Sequence, residues 1–180
     1  MPLSFEQAYE QHVSQVYGYL AYRVSSPADA EDLTQLTFER ALRAWRRYDE
    51  RRGTLASWLL TIARNALIDY RRRDRSTTHP SLSGGEVRER DLPHTAGPEE
   101  EHLGPSPELV AALRRLRSRD REVVALRFGA DMSVQEIAKI MGLSVSNVQQ
   151  ILSRALRKLR RRLETGRHGV PAARTSLGER

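Results

Sequence analysis

The sequence predicts an all-α protein made of two small helical domains joined by a flexible segment, and three observations carry that expectation. Apolar residues recur at three- and four-residue steps on both sides of the middle of the chain, the period of amphipathic helices. Between those stretches, residues 77–107 are rich in proline and glycine, contain Glu99-Glu100-Glu101 and show no apolar period. Such a segment cannot bury enough surface to offset its ordering entropy. A chain of 180 residues is also long enough for two modules with thin cores. The expected division is therefore a helical domain over 1–76, an acidic linker over 77–107, a second helical domain over 108–165 and a disordered basic tail over 166–180.

In the first domain, Phe5, Tyr9, Val13, Val16, Tyr17, Leu20 and Val24 mark one helix, ended by Ser25-Ser26-Pro27. A second starts near Pro27, with Asp29, Glu31 and Asp32 well placed in its electropositive first turn, and runs through Leu33, Leu36, Ala41, Leu42 and Trp45. Gly53 interrupts the pattern. A third helix carries Leu55, Trp58, Leu59, Ile62, Ala63, Ala66, Leu67 and Tyr70 and closes on Arg71-Arg72-Arg73. Helices of this number and length make a three-to-four-helix bundle, and Trp45 and Trp58, both on apolar stripes, belong to its core.

The second domain opens with Ser106 as N-cap and Pro107 in the first helical position, leading a helix of about three turns through Leu109, Val110, Leu113 and Leu116. The next helix covers Asp120 to Phe128 and stops at Gly129. Ser133-Val134-Gln135-Glu136 is a capping box, and the short helix it starts ends at Gly142. Ser144 then caps a long helix reaching about Glu164, with Val148, Ile151, Leu152, Ala155, Leu156 and Leu159 turned inward. Helix, tight turn, helix is the result, in a four-helix domain of winged-helix-like plan.

Composition narrows the function. The chain carries 30 Lys+Arg against 23 Asp+Glu, a net +7, and only Lys139 and Lys158 are lysines. Arginine suits forked contact with phosphate and guanine. The charge is uneven: +2 over 1–76, −4 over the linker, +7 over 108–165 and +2 in the tail. No cysteine is present, which excludes disulfides, thiolate zinc sites and a cysteine nucleophile. The histidines at 12, 79, 94, 102 and 168 lack ligand spacing, so neither metal nor cofactor is expected. No apolar run approaches the roughly 20 residues of a membrane span and no signal-peptide head is present, so a cytoplasmic location is expected.

A helix-turn-helix braces one helix on the DNA backbone and lays the next in the major groove, whose edges distinguish all four base pairs. Ser144, Ser146, Asn147, Gln149, Gln150, Ser153 and Arg154 occupy the start of that second helix. Asn and Gln suit adenine, Arg suits guanine, and Arg157, Lys158, Arg160, Arg161 and Arg162 add charge for phosphate.

At this point a resemblance becomes specific. Residues 116–163, with REVVALRFGADMSVQEIAKIMGLSVSNVQQILSRALRKLR, resemble region four of the sigma-70 family, which recognises the promoter −35 element. Residues 28–75, with DAEDLTQLTFERALRAW and GTLASWLLTIARNALIDYRRRDR, resemble region two. Their order, the absence of a domain between them and the short chain match the extracytoplasmic-function (ECF) group. The resemblance covers about two thirds of the chain.

It implies a non-catalytic subunit that binds core RNA polymerase through the clamp helices of the largest subunit and the flap, and that reads promoter DNA. Asp29, Asp32, Gln35 and Glu39 would meet the clamp helices. The −10 element would meet Asp49, Arg51, Arg52, Gly53, Thr54 and Ser57 in the loop before the third helix, together with Arg64, Asn65 and Asp69 on that helix. Arg71, Arg72 and Arg73 would hold phosphate. An unstacked base bound in that loop would let binding energy drive melting without hydrolysis. Two positions depart from the family pattern. Leu55 stands where relatives commonly have an aromatic, and Ser146-Asn147-Val148-Gln149 replaces a glycine-threonine-valine-lysine-like run. The acidic linker would thread the polymerase cleft, and its 31 residues could reach about 100 Å extended or average about 30 Å relaxed. An anti-sigma factor is a further possible partner; neither a membrane nor a small-molecule substrate is expected. The alternative is a stand-alone helix-turn-helix regulator, which calls for a dimer seam or ligand domain that the sequence does not offer. An enzyme would need a nucleophile or base beside the acids at 29–32, and a membrane-surface helix an aromatic anchor opposite Arg160 to Arg162.

Overall fold

The computed structural model describes residues 3–77 and 104–167, with side chains over 3–73 and 104–165. Among them are seven α-helices and no strand. Helix α1 (Phe5–Ala21) begins in a capping box: the Ser4 hydroxyl accepts from the Gln7 amide while the Gln7 side chain accepts from the Ser4 amide. Helix α2 (Pro27–Ala44) starts with Pro27 behind Ser26, whose hydroxyl accepts from the Asp29 amide. Two 3-10 turns, Trp45–Arg47 and Glu50–Arg52, lead to α3 (Leu55–Thr77). Helices α4 (Pro107–Arg114), α5 (Ser118–Val124), α6 (Val134–Met141) and α7 (Val145–Arg167) follow the uncharted segment, and α5 continues into a π-helical turn, Ala125–Gly129.

Several boundaries move for identifiable reasons. Helix α1 stops at Ala21, with Tyr22 as its cap, so Val24 is buried from beyond the helix end. The helix from Ser106 makes about two turns, not three, because the chain bends at Arg115 and Leu116 packs inward from the bend. Helix α2 hands over to a 3-10 turn before Trp45. Leu42 and Leu156, expected inside, are exposed. Trp45 and Trp58 are half-buried against the core, and with Phe5 and Tyr48 they form a chain of edge, stacked and tilted ring contacts 5.2 to 6.1 Å apart. Of the expected linker, 78–103 lies outside the described residues, as does 168–180 of the expected tail.

The buried apolar side chains of both halves belong to one cluster. Helix α1 packs on α2 and α3 on one side and on the π-helical turn on the other, while α7 packs on α4, α5 and α6. The meeting of the halves depends on two glycines. A Cβ on Gly18 would collide with the carbonyl oxygen of Gly129, and one on Gly129 with the carbonyl of Gly18. Helix and turn touch backbone to backbone, a distance only glycine permits.

Around that contact lies a buried polar cluster. Arg23 pairs with Glu122 at 2.7 Å, with 4% and 7% of the two side chains exposed. The Tyr19 hydroxyl donates to the other Glu122 oxygen at 2.7 Å, and Arg64 approaches the same oxygen at 3.5 Å. Arg23 also donates to the Ser118 carbonyl, Arg71 donates to the Arg23 carbonyl at 2.7 Å, and Gln15 donates to the Ala130 carbonyl at 2.7 Å. Burial, followed by the neighbouring charge of Glu122, raises the Tyr19 phenol well above its ordinary range. Burial, then the cations Arg23 and Arg121, pull the Arg71 guanidinium down to about 10.

Candidate nucleic-acid interface

The helix-turn-helix is α6 and α7. Ser133 and Glu136 cap each other: the Glu136 amide donates to the Ser133 hydroxyl, and the Ser133 amide donates to the Glu136 carboxylate at 2.9 Å. The Ser133 hydroxyl also donates to the Glu136 carboxylate, at 2.6 Å, and this bond, followed by that from the Ser133 amide, holds the Glu136 carboxyl below the ordinary carboxylate range. Gly142 ends α6 in the left-handed region, φ 63° and ψ 39°, and the Leu143 amide returns to the Ala138 carbonyl. Two residues later the Ser144 hydroxyl accepts from the Asn147 amide at 3.2 Å, so Ser144 starts α7 as its cap.

Helix α7 buries Val148, Ile151, Leu152, Ala155 and Leu159. The opposite face leaves Ser146, Gln149, Gln150, Ser153, Arg154 and Arg157 exposed, with Asn147 half-buried beside them. Arg161 and Arg162 are exposed two turns on, and Arg160 pairs with Glu164 at 2.8 Å. Lys158 has a different setting from the one its sequence position suggests. Its ammonium meets the buried carboxylate of Asp120 at 3.0 Å and ties α7 to α5. Sequence reasoning missed Asp120 in this role, because among Arg119, Arg121 and Glu122 it reads as one more solvated charge at the start of a helix.

The second group of predicted residues lies around the start of α3. Asp49 accepts from the Arg51 amide and Thr54 from the Ser57 amide, so both residues shape the loop. The Tyr48 hydroxyl reaches the Gly53 carbonyl at 3.3 Å, joining this loop to the Trp45, Tyr48 and Trp58 rings. Arg51, Arg52, Gly53 and Thr54 are exposed, whereas Leu55 is buried and offers no face for stacking. Along α3, Asn65, Arg72 and Arg73 are exposed. Asp69 is paired with Arg40 at 2.9 Å, and Arg64 and Arg71 are turned into the cluster between the halves.

On α2, Asp32, Gln35 and Glu39 are exposed along one side and Asp29 is half-buried at its start. Gln35 donates to Glu39, which sits 4.0 Å from Arg43. Asp29, Asp32, Leu33 and Leu36 form one wall of a cleft, with Ala66, Asp69, Tyr70 and Arg73 of α3 as the other. The cleft has an apolar floor and a mixed rim, with Asp29 and Asp32 on the α2 side and Arg73 on the α3 side.

A capped helix-turn-helix with an exposed Gln and Arg face, joined to a second helical unit with basic loops, is the arrangement of a nucleic-acid-binding protein. The comparisons with known proteins make the class specific. Sigma-70 region 2 matches residues 8–77 and Sigma-70 region 4 matches residues 112–161. The ECF RNA polymerase sigma factor BldN of Streptomyces coelicolor is 36% identical over 166 residues, 89% of this chain and 60% of BldN. SigX of Bacillus subtilis, also an ECF RNA polymerase sigma factor, is 31% identical over 91% of this chain and 86% of its own length. Among solved structures, the sigma factor RpoE of Bartonella quintana, in complex with the anti-sigma factor NepR, shares the fold with a TM-score of 0.66 at 23% identity, covering 89% of this chain and 96% of that one. The chain belongs to the sigma-70 family, in its ECF group.

Proposed function

We propose that this chain binds core RNA polymerase and directs it to promoters by reading a −35 element with α7 and a −10 element with the loop and exposed face of α3, assisting melting by holding the open strand. The observation that carries this reading is the α7 face. Gln149, Gln150, Ser153 and Arg154 stand exposed on a helix whose start is fixed by Gly142 and Ser144. Arg157 and Arg161 supply phosphate contacts, and Lys158 braces the helix through Asp120. Asp29 and Asp32, at the α2/α3 cleft, and Gln35 and Glu39, exposed further along α2, meet the clamp helices. The functional units are 1–76 and 108–165, with 77–107 spanning between the two promoter elements. The protein acts in the cytoplasm without a catalytic step or cofactor, and an anti-sigma factor is a fitting regulator.

Run-off transcription with core polymerase over a library of promoter sequences tests this directly. The expected result is initiation from a narrow set of sequences, combined with weak duplex binding by the free chain. Tight, sequence-specific duplex binding without polymerase would favour the stand-alone regulator instead. Asp32→Ala with Gln35→Ala should lower core affinity while circular dichroism stays unchanged.

A further inference from the structure

Tyr48 is assigned neither to DNA nor to polymerase, yet its contacts meet at the loop that carries Asp49 to Gly53. Its ring lies 6.0 Å from that of Trp45, stacked, and 5.3 Å from that of Trp58, tilted at 46°. Its hydroxyl donates to the Gly53 carbonyl at 3.3 Å. One side chain thus spans the loop from the aromatic cluster at its base to its far end. A phenylalanine would pack on the two tryptophans as well, so the use of the hydroxyl is the bond to Gly53. Burial, then the neighbouring charges of Glu50 and Asp49, raise the phenol above its ordinary value, which keeps it a donor.

Among the described residues, the other hydrogen bonds of 49–53 run within the loop. The Arg51 amide donates to the Asp49 carboxylate, the Arg52 amide to the Asp49 carbonyl and the Gly53 amide to the Glu50 carbonyl. Gly53 sits at φ 156° and ψ 169°, a region nearly confined to glycine, with open space where a Cβ would stand. It is glycine for its backbone, and that backbone turns the carbonyl to Tyr48.

We propose that Tyr48 is a positioning residue for −10 reading, its hydroxyl on the Gly53 carbonyl and its ring on Trp45 and Trp58 holding the loop in its strand-binding shape before DNA arrives. The inference rests on the −10 assignment proposed above and adds the group that shapes the reader. Tyr48 acts through Gly53 and not by touching a base. A loop ordered in advance gives up less freedom on binding, and a single shape selects among bases more sharply than several. Gly53 is exposed, so water replaces the bond when the hydroxyl is removed and the fold hardly depends on it.

Tyr48→Phe in the full chain keeps the ring and removes the bond. Amide exchange at Arg51, Arg52 and Gly53, followed by nuclear magnetic resonance, should quicken about threefold, while melting temperature and core-polymerase affinity hold. Holoenzyme selecting from promoter fragments randomised over the −10 element should discriminate about fivefold less at the position wild type reads most sharply, with −35 preference unchanged. Gly53→Ala disturbs the same carbonyl from its other side, so the double variant should lose little more discrimination than either single one. Unchanged exchange in Tyr48→Phe overturns the brace. Quickened exchange with discrimination intact, or additive losses in the double variant, overturns the positioning role. A wild-type holoenzyme indifferent to −10 sequence overturns the −10 assignment and the role of Tyr48 with it, while the exchange rates still decide the brace.

Discussion

On α7 the side chains assigned to base reading stand in solvent, while on α3 the comparable cations are already engaged within the protein, Arg64 with Glu122 and Arg71 with the Arg23 carbonyl. The two surfaces carry similar chemistry, polar amides and arginines on a long helix, yet α3 presents Asn65 and Arg72 while turning Arg64 and Arg71 inward. The difference lies in what each helix packs against. Helix α7 is held from one side by α4, α5 and α6, whereas α3 is flanked by α1 and α2 and also touches α6 of the other half. Readiness to bind is therefore set by tertiary packing and not by the composition of the face.

The largest effect expected at this boundary follows Arg23→Ala, which leaves the Glu122 carboxylate buried without its closest cation. Urea unfolding should show a loss of about 3–5 kcal/mol, and a double variant, Arg23→Met with Glu122→Leu, should recover much of it. A similar loss from both the single and the double variant would mean that the cluster contributes through packing alone.

On the exposed side, Gln150→Ala or Arg154→Ala in holoenzyme should cost about 1–3 kcal/mol at cognate promoters and relax preference at one or two −35 positions. Arg161→Ala should instead weaken all promoters alike and flatten the salt dependence by about one unit of slope. Equal, sequence-independent losses at Gln150 and Arg154 would place the reading face elsewhere on α7. Lys158→Ala separates bracing from reading. It should lower the melting temperature by leaving Asp120 unpaired, by less than Arg23→Ala because Lys158 is partly exposed, while leaving base preference unchanged.

The smallest effect concerns the start of α6. Ser133→Ala should cost about 1 kcal/mol of stability. Because the Glu136 carboxyl is held below its ordinary value of 4.5 in the fold, its contribution is complete above that value and is lost as pH falls through the lowered one. The melting-temperature gap between wild type and Glu136→Gln should accordingly close on acidification below pH 4.5 and stay constant from there to neutrality.

What was legible in the sequence was whatever is decided within four residues. Ser106 with Pro107, the Ser133 to Glu136 box, Gly142 and Ser144 each fix a helix end through a local hydrogen bond, and each stands where the sequence puts it. Helix periods likewise located the cores of α1, α2, α3 and α7. What was not legible depends on pairs far apart in the chain: Tyr19 with Glu122, 103 residues away, and Lys158 with Asp120, 38 residues away. A carboxylate's sequence neighbours do not reveal which arginine among many will reach it. Gly18 was the one local hint, since a glycine inside a helical pattern weakens the helix unless a neighbour needs the space. Leu42 and Leu156 fit the apolar period and still face solvent, because a stripe has edges that the facing helix does not cover.

The glycine contact between α1 and the π-helical turn also bears on how the sequence can vary. A side chain added at Gly18 or Gly129 meets backbone and not the far end of another side chain, so no rotamer change nearby relieves it. Change at either position therefore calls for a shift of the whole helix against the turn.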